Sequence, residues 1–170
     1  TRLSLDPRRV WVDTWALDNL LAELDGVLRD PRSTGPALHA LADEALALYR
    51  GPFLPDESEQ PSYIACREQV RAKLQRALAR AARWWEDAGK PDVAADCYSR
   101  LIDADELCEA GYRNLMALHQ RRGEGAEAIA TYERLRTLLS ARTKSMPSPE
   151  TQAVYAGLIA QQGAKPAPRG

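Results

Sequence analysis

Four residues set the register of this chain. Gly89, Ala94, Tyr98 and Leu101 recur 34 positions later as Gly123, Ala128, Tyr132 and Leu135. The last three of each set fall on one stripe of an α-helix, and the glycine stands where a preceding helix would end. A sequence that repeats such a unit builds each copy from two antiparallel helices joined at the glycine, with the small and aromatic residues on the packed face of the second helix. A unit of this kind cannot bury its stripe alone, so helices on both sides must close the stack. The pattern points to a binding scaffold before it points to an enzyme.

A period of 34 is that of the tetratricopeptide repeat. The expected fold is therefore all-α, a tetratricopeptide-like array of about seven helices with a short N-terminal extended segment. Aromatic residues make up 6% of the chain. That low share, beside many alanines and aliphatics, suits helices that approach closely through small side chains. A net charge of −1 gives no global attraction to nucleic acid. No apolar run reaches the length of a membrane span, and the N-terminus lacks the order of a secretory signal, so a cytoplasmic chain without membrane contact is expected. Cys66, Cys97 and Cys108 have no metal-site or CxxC spacing and are expected as reduced thiols; no metal or cofactor is expected.

Along the chain, Leu3 to Leu5 and Val10 to Val12 look like two short extended pieces around Asp6-Pro7. Asp13 stands where a helix N-cap is wanted, and Trp15, Leu17, Leu20, Leu21, Leu24 and Leu28 then follow helical spacing over residues 14–29. Gly35-Pro36 opens a second helix marked by Leu38, Leu41, Ala42, Ala45, Leu46 and Tyr49, which breaks at Gly51-Pro52. From Ser62 to Ala88 neither proline nor glycine interrupts a stripe of Val70, Leu74, Ala77, Leu78, Ala81, Trp85 and Ala88, so one long helix is expected. Further helices are expected over 92–103, 106–121, 125–141 and 149–160, the last capped by Ser148 before Pro149. Residues 161–170 read as a disordered tail.

These elements carry a family resemblance. Leu5-Asp6-Pro7 followed by Val12-Asp13, the run from Ala45 to Leu54 (Ala-Leu-Ala-Leu-Tyr-Arg-Gly-Pro-Phe-Leu), the Gly89 and Gly123 repeats, and Pro147-Ser-Pro-Glu-Thr151 together resemble the bacterial transcriptional activator domain of SARP-type and MalT-like regulators. The resemblance covers about residues 3–158. Tyr63 stands where that family commonly has tryptophan, and Ser140 to Met146 is basic where many members are acidic. In that family the module follows a winged-helix DNA-binding domain. The resemblance implies that residues 1–12 are the end of that domain or a linker and that residues 13–160 are the activator module. It also implies that DNA is contacted only through a domain absent from this chain. The implied partners are RNA polymerase or other domains of the same regulator, with homodimer formation a further expectation. The alternative is a stand-alone tetratricopeptide-type peptide-binding scaffold unconnected with DNA.

No catalytic residues are expected. His39 and His119 are the two histidines. Each is isolated on a helix without a nucleophile placed beside it, and no phosphate loop or GxSxG stands in the sequence. One constellation follows from repeat geometry. First helices of such pairs line a concave groove, and the 34-residue register places Arg76, Arg83 and Glu86 there from one repeat and Arg113, Gln120 and Arg121 from the next. Lys73, Arg76, Arg80 and Arg83 cluster opposite the apolar stripe of the long helix. Guanidinium groups on such a face suit carboxylates or phosphates, so the groove is expected to take a protein partner or an anionic small-molecule effector. The same charges are also what an ordinary solvated helix face would carry. Trp84 lies at the edge of the core stripe, while Trp85 lies on it.

Overall fold

A computed structural model describes residues 12–30, 32, 34–49 and 61–164, and among them the chain forms seven helices and no strand. These are α1 (Asp13–Arg29), α2 (Gly35–Leu48), α3 (Pro61–Asp87), α4 (Pro91–Ala104), α5 (Glu109–Arg121), α6 (Gly125–Arg142) and α7 (Pro149–Ala164). The all-α array is as the periodicity requires. The extended pieces expected before Val12, the Gly51-Pro52 break and the last residues of the expected tail lie outside the described residues.

The contacts divide the chain into two compact units, Thr1–Trp85 and Glu86–Gly170. In the first, α1 and α2 form a helical hairpin that buries Leu17, Leu21 and Leu24 on one side and Leu38, Ala42 and Ala45 on the other. The first unit's part of α3 adds Leu74, Ala77, Leu78, Ala81, Ala82 and Trp85 to the buried set. The alanines among them hold helix propensity while permitting close approach. Trp85 is buried against Gly35, and glycine is the residue type that fits there, since a Cβ at that position would fall 2.1 Å from the indole.

In the second unit α4 packs on α5, and α5 packs on both α6 and α7. The repeat is visible here atom by atom. The equivalent pairs Ala94 and Ala128, Tyr98 and Tyr132, and Leu101 and Leu135 are all buried. Gly89 and Gly123 take φ of 71° and 77°, and their amides donate to Glu86 O and Gln120 O, each at 3.0 Å. In both copies the next residue opens the following helix through its carbonyl, Lys90 O to Ala94 N and Glu124 O to Ala128 N. The two turns are thus one structure repeated at the period of the sequence. Glycine is needed in both because the left-handed region strains any residue with a Cβ. A third left-handed helix end departs from this: after α6, Lys144 takes φ of 56° without being glycine.

Several boundaries differ from expectation. Val12, extended at φ −131° and ψ 127°, is the N-cap of α1, and Asp13 already belongs to the helix, its Oδ1 accepting the Thr14 amide at 2.7 Å. The helix expected from residue 106 starts at Glu109, because Asp105 Oδ1 accepts the Leu107 amide and Asp105 O accepts the Cys108 amide. Those two bonds fold the stretch into a turn. The helix expected to stop at 160 continues to Ala164, so the first residues of the expected disordered tail are helical. Its apolar side meets the stack through Leu158, Val154 and Tyr155, which gather on Met116, Ala128 and Tyr132, with the Tyr132 and Tyr155 rings stacked at 3.9 Å.

Candidate functional site

The α1–α3 face of the first unit holds a row of charges in register. Lys73 Nζ lies 2.7 Å from Asp18 Oδ1, and Arg80 pairs with Asp25 in the same way. Both pairs are separated by 55 residues, so the two helices run in the same direction here, with one heptad between the rungs. Arg76 projects from α3 between the rungs. The register places Leu21 opposite it, and Ala22 opposite Ala77, so no carboxylate of α1 reaches it. Among the described residues Arg76 bonds to none. Lys73, Arg76 and Arg80 on one wall and Asp18, Asp25 and Ala22 on the other enclose a cleft of 410 Å³ floored by Leu21 and Ala77. Arg83, farther along α3, is exposed.

The residues expected on α5 occupy a different setting. Arg113 is half-buried and turned toward α7, its Nη1 donating to Thr151 Oγ1 at 3.0 Å and lying 3.5 Å from Ser148 Oγ. Glu109, one turn earlier, is the centre of this cluster: its Oε2 accepts the Ser148 amide at 2.9 Å, the Ser148 hydroxyl at 2.7 Å and the Thr151 hydroxyl at 2.5 Å. Burial by itself would push the Glu109 carboxyl up. The hydrogen bonds from Thr151 and Ser148, helped by the Arg113 charge, outweigh it and hold the group below the usual carboxylate range. Ser148, expected as a helix cap, thus spends its hydroxyl on the neighbouring helix. Gln120 donates to Gln161 of α7 at 2.6 Å, and Arg121 pairs with Glu86. Glu86 also accepts the Tyr98 hydroxyl at 2.9 Å. Arg113 and Gln120 therefore meet α7, and Arg121 meets the residue that the register placed in the groove beside it.

A second polar knot ties the repeat turns together. His119 Nδ1 lies 2.7 Å from Glu124 Oε2, and Arg122 bridges Glu124 Oε1 and Asp92 Oδ1, both at 2.7 Å. The hydrogen bond with His119, with the Arg122 charge beside it, lowers the Glu124 carboxyl, as bonding to the charged form does. His39 lies 3.5 Å from Asp43 one turn on. Among the described residues no group of three or more His, Cys, Asp or Glu side chains is placed to hold a metal ion, and no helix is long and apolar enough to cross a membrane. Cys66, Cys97 and Cys108 form no disulfide.

Sequence reasoning picked out Lys73, Arg76 and Arg80 as one face but missed their partners, although Asp18 and Asp25 share the heptad spacing of Lys73 and Arg80. It missed the Glu109, Ser148 and Thr151 cluster as well. The signal was there in Ser148 between Pro147 and Pro149, with Thr151 close behind, a composition suited to a tight polar joint.

A helical-repeat scaffold is the class that this architecture defines. The sequence matches the bacterial transcriptional activator domain over residues 12–159, and the chain belongs to that family. No curated protein sequence matches it significantly. Among solved structures, the C-terminal TPR-containing domain of a Plasmodium falciparum FK506-binding protein is similar at 11% identity and a TM-score of 0.49, covering 91% of this chain and 95% of that one.

Proposed function

We propose that this domain is the protein-interaction module of a transcription activator, contacting RNA polymerase or other domains of the same regulator while DNA is read by a different domain. The observation that carries this reading is the repeated turn and helix, Gly89 with α4 and Gly123 with α6, in a chain of the activator-domain family: α5 packs on α4, α6 and α7, and α6 turns Glu127, Arg134 and Arg136 to solvent. A net charge of −1 adds support, since a domain that itself held duplex DNA would need a basic surface to displace counterions. Of the expected groove residues, Arg76 and Arg83 are the ones left to meet a partner, because Arg113 and Gln120 bond α7 and Arg121 bonds Glu86.

The test is a direct binding comparison at physiological salt. Immobilised protein should retain purified RNA polymerase holoenzyme, and a mobility-shift assay with duplex DNA should show weak binding without sequence preference. Tight, sequence-selective DNA binding by this chain alone would overturn the proposal.

A further inference from the structure

The row of ion pairs on the α1–α3 face has one rung without its anion. Lys73 and Arg80 each have a carboxylate at the matching position of α1, whereas Arg76, between them, has Leu21. Three cations against two carboxylates leave one surplus positive charge in the cleft, and it falls on Arg76. We propose that this cleft is a binding site for a single carboxylate, the aspartate or glutamate side chain of a partner protein, which completes the row by pairing with Arg76. The proposal rests on the reading of the domain as a protein-interaction module and names the residue and chemistry it uses.

Three features select this occupant. The guanidinium fork pairs with a carboxylate through two parallel hydrogen bonds, which gives direction as well as attraction. The floor of Leu21 and Ala77 is apolar, so it suits a carboxylate on a short alkyl stem with an apolar neighbour in the partner chain. Asp18 and Asp25 flank Arg76 on both sides and oppose any ligand with more than one negative charge, which disfavours polyphosphates and nucleic-acid backbones. Ala22, in the α1 wall of the cleft, is small and exposed, so it leaves room for a partner side chain.

The experiment is an amide chemical-shift titration of the full chain with two capped peptides, acetyl-Leu-Glu-Leu-amide and acetyl-Leu-Gln-Leu-amide, and with inorganic triphosphate. The glutamate peptide should move the amides of Ala22, Arg76 and Ala77 and bind about tenfold more tightly than its glutamine twin, the ratio expected of one charge-assisted pair. Arg76→Ala should remove the difference between the peptides, and Arg142→Ala, an exposed arginine of the second unit, should preserve it. Ala22→Glu supplies the missing carboxylate from within and should also abolish binding; melting curves would show that each variant is folded. The proposal is overturned if the two peptides bind alike or not at all, if Arg76→Ala retains the preference, or if triphosphate binds more tightly than the glutamate peptide. A reporter driven by the domain tethered to DNA separates this failure from that of the underlying reading. Activation by the wild-type chain that survives Arg76→Ala overturns the site and leaves the module. A tethered wild-type chain that is inactive, with the peptide preference intact, keeps the site and removes the module.

Discussion

Glu109 Oε2 accepts the hydroxyl of Thr151 at 2.5 Å, and Thr151 is fully buried. This contact, with Ser148 and Arg113 around it, fastens α7 to α5 at the point where the chain enters its last helix. Farther along, apolar packing and the Gln120–Gln161 bond hold α7 against the stack, and the polar cluster fixes where along α5 the helix begins.

Thr151→Val keeps the buried volume and removes the hydroxyl. It leaves one lone-pair site of a partly buried carboxylate unmet, so unfolding in urea should show a loss of about 1–3 kcal/mol. Stability equal to wild type would mean that the Ser148 contacts alone hold the joint.

Acid should weaken the fold through the same residue. The carboxyls of Glu109 and Glu124 are both lowered in the folded chain. The unfolded chain therefore binds more protons in acid, and the stabilisation these groups supply is complete above the ordinary carboxylate range and lost as pH falls through their folded-state values. The urea midpoint should be level near neutrality and decline below about pH 5, and Glu109→Gln should make that decline shallower. An unchanged acid slope in Glu109→Gln would remove Glu109 as a contributor.

The three left-handed helix ends give opposite expectations. A Cβ on Gly89 or Gly123 would meet nothing within 4 Å. Alanine at either site is therefore penalised by backbone conformation alone, at a cost of about 1 kcal/mol or somewhat more, equal in the two turns. Lys144 already bears that strain, with φ at 56°. Lys144→Gly should relieve it and raise stability by about 1 kcal/mol, less what the freer unfolded chain takes back. Thermal melts of the three variants check both signs.

Tyr112 is wholly buried, and its hydroxyl has no hydrogen-bond partner among the described residues. Burial pushes its pKa up. Tyr112→Phe should leave stability unchanged or raise it by up to about 1 kcal/mol, since an apolar ring loses nothing that the hydroxyl supplied. A clear loss of stability would show that the hydroxyl is bonded in solution.

The repeat was legible because its information is local: Gly89, Ala94, Tyr98 and Leu101 each encode a turn or a packed face within a few residues, and the second copy confirms the first. Arg113 was harder to place. The repeat register assigns it a face relative to its own repeat neighbours, but α7 is not a repeat helix, and the hydroxyls of Ser148 and Thr151 draw the guanidinium into a joint that no period describes. The Asp18 to Lys73 and Asp25 to Arg80 pairs depend on two helices meeting in parallel register across 55 residues, which spacing within either helix permits without requiring.

The decisive assay is transcription in vitro from a promoter to which this chain is tethered through an unrelated DNA-binding domain, with purified RNA polymerase and no other regulator present. The tethered chain should raise transcript yield above that of the DNA-binding domain alone. A tethered chain that is folded and bound at the promoter, yet leaves yield at the level of the DNA-binding domain, would contradict its reading as a module that contacts RNA polymerase.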